Sequence, residues 1–260
     1  MSASIEEIAD AIYTARRDLK QIPPLRDTFG LVDPEEAYRV QNRNTERSLG
    51  EGRRLVGRKI GLTAKAVQLQ LGVDQPDFGV LWNDFAFADG DTIDRRRFMQ
   101  PKIEVEIALV MGRPVEDPLA SMTDVVSAIA YALPALEIVD SAIANWSIKL
   151  ADTIADNASG AGFVLGRDPR KVNEVDLRLG GAILSRNASI AAIGIGAACL
   201  GHPFNALLWL ARKMAALGRP LHEGDIVLSG ALAPMVPIEA GDVFTAEIQG
   251  FAPLQLGVST

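Results

Sequence analysis

The apolar positions of this chain change period twice. Ile5, Ile8, Ala9 and Ile12 form a stripe at helical spacing, behind Ser4 and Glu7 at capping-box spacing. QIPPLRD breaks that helix. Asp33-Pro34-Glu35-Glu36 then supplies an acidic cap, a proline for the first turn and a glutamate three residues after the cap. This predicts a second helix to about Gly50, with Ala37, Tyr38, Val40 and Gln41 on or near its inner face.

From Arg54 the texture becomes β-rich and glycine-punctuated. LVGRKIGLT reads as a short strand, QLGVDQPDFGVLW as a loop leading into a strand, and KIEVEIALVMG as a strand by its β-branched content. SMTDVVSAIAYAL is helix-like, with Ser121 and Asp124 at capping-box spacing, and PALEIVDS is a further short strand. DLRLGGAILSRNASI has the pattern of a hairpin around Arg186-Asn187. GHPFNALLWLARKMAALG is the clearest helix, with a proline near its start, Phe204, Leu207, Leu208, Ala211 and Met214 at helical spacing, and Gly218 as its stop. Two strands, GDIVLSG and GDVFTAEIQG, follow glycine turns. The order predicts a mixed α/β chain with a mainly antiparallel β core: a helical N-terminal region over residues 1–52 and a β-rich catalytic domain over 53–260, built as one compact unit.

Composition narrows the function. A formal charge of −7 and a pI near 5.0 argue against nucleic acid, which needs a basic stripe. Arg95, Arg96 and Arg97 are flanked by Asp91 and Asp94 and read as a solvated turn. No run approaches the ~20 apolar residues of a membrane span, and the acid-bearing start lacks the apolar core of a signal peptide, so a cytoplasmic location is expected. One cysteine, Cys199, excludes an intrachain disulfide and a multi-cysteine zinc site. Of the two histidines, His202 precedes a helix-starting proline, where capping or packing is expected, and His222 lies in a turn. No GxGxxG follows a strand and no GxxxxGK[ST] occurs, so dinucleotide and P-loop readings lack support. The search moves to carboxylates and lysine.

Glu104 and Glu106 lie two apart in PKIEVEIALV and share a strand face, opposite Ile103, Val105 and Ile107. A wet acidic face is one reading. Against it, the same face continues as Ala108 and Val110, and adjacent like charges repel unless a cation offsets them. Glu137 shares its expected face with Ala135 and Val139. Three such carboxylates, if they converge, suit a hard divalent cation and leave positions on it for water or a chelating substrate. Lys59, among few polar neighbours, is either a buried cation paired with carboxylates or a snorkelling side chain. Asp77, in a loop bounded by proline and glycine, has turn capping as its ordinary role. Ser159 of DNAS either meets a ligand or forms a turn.

VGRKIGLT, QLGVDQPDFG, PKIEVEIALV, LPALEIVDS, DTIADNASG, LGHPFNALLWLARKMA and GDIVLSGALAPMVP together resemble the 2-hydroxypenta-2,4-dienoate hydratases. These belong to the hydratase and decarboxylase group of the fumarylacetoacetate hydrolase superfamily, and the resemblance runs along essentially the whole chain. It implies the superfamily's β-rich mixed α/β roll with a helical N-terminal part. It places Mg2+ or Mn2+ on Glu104, Glu106 and Glu137, acid–base roles on Lys59 and Asp77, and Ser159 near the substrate's carboxylate and oxo group. It implies a small 2-oxo or 2-hydroxy-dienoic acid substrate, a homo-oligomer, and a complex with a pathway decarboxylase or aldolase. The implied reaction is hydration of 2-hydroxypenta-2,4-dienoate to 4-hydroxy-2-oxopentanoate in aromatic degradation. The nearest rival is decarboxylation of a 2-oxohex-3-enedioate, against which stands GALAPMVP where decarboxylases carry a GGIT-like sequence. Other rivals are hydration of a longer diacid, for which Arg58 is an available cation, and a non-catalytic subunit of a decarboxylase, which the intact glutamates oppose. A C–C bond hydrolase is disfavoured by the scarcity of histidine.

Overall fold

The computed structural model describes residues 3–65, 68, 69 and 73–259. Gln70, Leu71 and Gly72, at the head of the QLGVDQPDFG motif, lie outside the described residues.

Three helices open the chain: α1 (Ile5–Arg17), α2 (Leu25–Thr28) and α3 (Pro34–Gly50). The expected caps form. Ser4 and Glu7 bond reciprocally at the start of α1, and the Asp33 side chain accepts from Glu35 N at the start of α3. Then follow β1 (Leu55–Gly61), β2 (Asp77–Trp82), β3 (Ala86–Ala88), β4 (Thr92–Asp94), β5 (Lys102–Met111), α4 (Met122–Ser127), β6 (Ile129–Val139), α5 (Leu150–Ala155) and β7 (Gly160–Leu165). The remainder is β8 (Gly181–Arg186), β9 (Ser189–Ile195), α6 (Pro203–Ala216), β10 (Ile226–Leu228), β11 (Val236–Pro237), β12 (Val243–Ile248) and β13 (Leu254–Ser259).

The strands form two sheets. The larger runs β2-β1-β10-β5-β6-β7-β3 with β11 also on β5, and the smaller runs β4-β13-β12-β8-β9. Pairing is antiparallel except at β1/β10, β3/β7 and β4/β13. The main core joins Ile103, Val105, Ile107 and Leu109 of β5 to Phe244, Ala246, Leu254 and Leu256 of the smaller sheet and to Leu207, Leu210 and Met214 of α6. A separate cluster packs α1, α2 and α3 against Ala142, Ile143 and α5. That contact seats the N-terminal helices beside the end of β6.

The helix expected over SMTDVVSAIAYAL stops at Ser127, and β6 begins at Ile129. Its cap is local and forms, with Ser121 and Asp124 bonding reciprocally. Beyond it, Tyr131 and Ala132 pair with Val110 and Leu109 of β5, and this ladder overrides local helix preference. Pro134 is tolerated inside β6 because it lies where regular pairing with β7 ends: its carbonyl still accepts from Gly166 N at 2.9 Å.

The β8–β9 hairpin turns through Asn187 and Ala188, both at positive φ (52° and 62°). The Asn187 side chain ties this turn to Asp242 and Val243. Ala188 makes no such use of a conformation that a Cβ disfavours. Ala188→Gly is therefore expected to raise the unfolding free energy by about 0.5–1 kcal/mol, read from the urea midpoint at unchanged slope.

Candidate active site

Alternation along β5 sends Ile103, Val105 and Ile107 into the main core and Glu104 and Glu106 to the opposite face. In the β5/β6 ladder Glu104 lies directly opposite Glu137, and Glu106 lies opposite Ala135. All three carboxylates therefore share one face. One oxygen from each lies within 4.8 Å of the others. Glu106 and Glu137 are buried and Glu104 is half-buried. Further along that face come Ala108, Val110, Leu133 and Ala135, which pack with Leu81, Phe163 and Leu228. The acids thus stand at the edge of an apolar floor.

Lys59 is buried rather than snorkelling. Its Nζ lies 3.1 Å from Glu137 Oε1 and donates to the Ala158 carbonyl at 3.0 Å. Asp77 does not cap a turn. It opens β2 opposite Gly61, and neither carboxylate oxygen accepts a hydrogen bond. A Cβ at Gly61 would lie 2.2 Å from Asp77 Oδ1 and 3.5 Å from Lys59 Nζ, so glycine there lets the acid and the cation share one space. Ser159 is buried in the turn that carries the Ala158 carbonyl, its hydroxyl 3.4 Å from that of Thr153. The structure brings the three glutamates, Lys59 and Asp77 together, with Ser159 in the adjoining turn. Arg58, next to Lys59 on β1, turns to the other face and feels the charges of Asp225 and Arg219.

The electrostatics follow from four carboxyl groups crowded around one ammonium. Burial pushes the Glu137 carboxyl up to about 7, with Lys59 opposing. Glu106 is held well above its usual range by burial and by Glu137 and Glu104. Burial raises Glu104 and Asp77 as well. Burial works against the Lys59 ammonium, but the surrounding carboxylates outweigh it and raise its pKa. Glu106 Oε1 and both oxygens of Glu137 accept no hydrogen bond, whereas Glu106 Oε2 accepts from Gly230 N at 2.8 Å. Unsatisfied buried carboxylate oxygens, all hard donors, fit a magnesium- or manganese-type cation.

Several supporting groups are invisible to side-chain patterning. Gly230 holds its N–H on Glu106 at φ 106°, and a Cβ there would strike Thr63 Oγ1 at 2.2 Å. The Ala158 carbonyl has no signature beyond its place in DNAS. His202 caps α6, its Nδ1 accepting from Phe204 N at 3.0 Å, and His222 is exposed in its turn. Asp94 caps the Arg95–Arg97 turn. A cavity of about 390 Å³ lies between α1, α3 and β2, but none of the three glutamates, Lys59 or Asp77 lines it. Among the described residues no helix is long and apolar enough to cross a membrane.

The fumarylacetoacetate hydrolase C-terminal family matches residues 44–259. The chain belongs to the fumarylacetoacetate hydrolase family. Within it, the 2-keto-4-pentenoate hydratase of Paraburkholderia xenovorans (strain LB400) is 50% identical over 245 residues, 94% of this chain and 91% of that protein. The TodF product hydratase of Pseudomonas putida (strain F1) is 50% identical over 249 residues, 96% of this chain and 93% of that protein. The solved 4-oxalocrotonate decarboxylase of Pseudomonas putida G7, complexed with magnesium and adipate, superposes with a TM-score of 0.94 at 32% identity, over 98% of this chain and 97% of that one. The fumarylacetoacetate hydrolase fold, with its N-terminal helices and curled β half-barrel, is therefore that of this chain.

Carboxyl groups whose folded pKa is raised bind more protons folded than unfolded, so their ionisation destabilises the fold. For Glu137 the window runs from its ordinary 4.5 to about 7. In chelator, the unfolding free energy is expected to fall as pH rises through that window, and urea titrations at several pH values would measure the slope. A flat or rising profile contradicts the crowding.

Proposed function

We infer that this chain has the activity of the 2-keto-4-pentenoate hydratases, as a hydro-lyase of aromatic catabolism. It adds water to 2-hydroxypenta-2,4-dienoate and yields 4-hydroxy-2-oxopentanoate. The observation that carries the reading is 50% identity to such hydratases over nearly the whole chain, joined to three clustered glutamates, two of them buried, with Lys59 and Asp77 beside them.

Glu104, Glu106 and Glu137 would hold Mg2+ or Mn2+, which when bound supplies Lewis acidity toward the negative charge gathering on the substrate's 2-oxygen. The rest of the work falls to the chain. The dienol loses its 2-hydroxyl proton and gains one at C5; water then places its hydroxyl on C4 and a proton on C3. Lys59 Nζ and the Asp77 carboxyl are the groups that move these protons. Both are buried, and positioned acid–base groups of this kind contribute about 10²–10⁴-fold. Ser159 serves the substrate's carboxylate and oxo end. The apolar floor of Leu81, Leu133 and Phe163 excludes water from the face beyond the acids. The GALAPMVP segment begins at Gly230, whose N–H sits on Glu106, so the segment that separates hydratases from decarboxylases touches the acidic centre.

Decarboxylation of a six-carbon oxo-diacid is the second reading, favoured by the close superposition on the decarboxylase. Arg58 faces away from Lys59, which removes the cation that the sequence offered for a distal carboxylate. Assayed side by side with magnesium, the five-carbon dienol is expected to be hydrated and the six-carbon diacid to release no carbon dioxide. Carbon dioxide from the diacid without hydration of the dienol would overturn the assignment.

Glu106→Gln keeps an acceptor for Gly230 N and removes one charge. It is expected to lower kcat by about 100-fold or more, with poor rescue by added metal. Magnesium at about 100 times its Kd should stabilise the parent chain by about 2.7 kcal/mol and the variant far less. Near-normal turnover at saturating magnesium would remove Glu106 from the site.

A further inference from the structure

The groups around Lys59 rest on an unusual stretch of backbone. Asn157, Ala158 and Ser159 all have positive φ (57°, 49° and 57°), a left-handed turn built without glycine. L-residues disfavour this conformation, so contacts from outside must hold it. On one side the Asn157 side chain accepts from Val80 N at 2.8 Å and donates to Val80 O at 3.1 Å, fixing the turn to β2. On the other side the anchor is Asp156, whose carboxylate is fully buried.

Asp156 joins three parts of the chain. Its Oδ1 accepts from Arg16 Nε at 2.7 Å, and its Oδ2 accepts from Ala142 N at 2.7 Å. Its carbonyl accepts from Ser159 N at 2.9 Å, closing the turn. The Arg16 fork also reaches the Asp140 carbonyl at 2.5 Å, and Asp140 N donates to Ser159 O at 2.8 Å. Arg16 therefore grips the entry to the turn and, through Asp140, its exit. It does so from α1, and it lines the cavity behind the turn rather than the acidic centre.

We propose that Arg16 and Asp156 are positioning residues, an ion pair that holds the left-handed turn so that the Ala158 carbonyl meets Lys59 and Ser159 stays at the site. The effect on turnover rests on the hydratase reading; the effect on the turn does not. A guanidinium suits the task because its fixed fork spans two acceptors at once, which an ammonium does not match. The pair also gives the N-terminal helices a role in the chemistry, because their other contacts here, the apolar packing on α5 and the bonds from Leu25, Arg26 and Gln41, reach α5 and β2 rather than the turn itself.

The test compares hydrogen exchange and kinetics in the full-length magnesium-loaded protein, Arg16→Met and Arg16→Lys. In Arg16→Met, amides over residues 156–160 are expected to exchange about 10–100-fold faster while those of β5 keep their protection. Its kcat is expected to fall at least about tenfold with KM held within about threefold, because the reacting groups are misplaced rather than the substrate released. Arg16→Lys should recover part of both effects, and it carries the comparison if Arg16→Met does not accumulate. Unchanged exchange in the turn overturns the proposal. So does equal loosening of β5, which marks a general structural role, or a normal kcat over a loosened turn. Should the parent chain fail to hydrate the dienol, the functional reading fails separately and the exchange measurements decide the structural one.

Discussion

Four carboxyl groups and one ammonium, sharing a space from which water is largely excluded, set the terms for the rest of this structure. Glu104, Glu106, Glu137 and Asp77 bring more negative charge than Lys59 offsets, and three of the glutamate oxygens have no hydrogen-bond partner. A chain selected for stability alone would not keep such a group, because burying an unpaired carboxylate costs several kcal/mol. The arrangement makes sense when a divalent cation completes it. The same excess of charge explains why Gly230 N and Ala158 O are aimed inward: the acids take a donor and the lysine takes an acceptor.

That concentration of charge depends on register. Side chains alternate along a strand, so a one-residue slip of β6 against β5 would move Glu137 into the core beside Ile103 and Ile107 and bring Ile138 to the acidic face. Both faces of β5 are distinctive, one aliphatic and one acidic then apolar, and register is strongly specified when each face has its own surroundings. The long β5/β6 ladder therefore serves the site as directly as it serves the core.

Local rules made much of this legible in the sequence. Caps at Ser4, Asp33 and Ser121, the helical stripe after Pro203 and the alternation of PKIEVEIALV need only near neighbours, and each has its counterpart in the structure. The end of α4 was not legible, because Ile129 onward answers to β5 rather than to its own helix propensity. The burial of Asp77 was equally hidden, and that of Lys59 was one of two readings the sequence left open. Their ordinary roles, snorkelling and turn capping, differ from the observed ones only through what β1, β2 and the 157–159 turn bring around them. Backbone contributions from Ala158 and Gly230 leave no side-chain pattern to read, and only the longer motif resemblance pointed to their segments.

Hydratase and decarboxylase chemistry share the demand that negative charge on a 2-oxygen be held, and an acidic centre of this kind would suit either. A TM-score of 0.94 to a decarboxylase beside 50% identity to hydratases is what that sharing predicts. Discrimination must then come from residues that meet the substrate beyond its oxo-acid end. Two features bear on that region. Arg58 is turned to the far face of β1, and the strands continue past the glutamates as Ala108, Ala135, Leu133 and Val110, an apolar surface. An uncompensated carboxylate would be poorly solvated there, whereas the terminal methylene of a five-carbon dienol would not. On the hydratase reading, specificity would then be set by what the apolar floor beyond the three glutamates refuses to solvate.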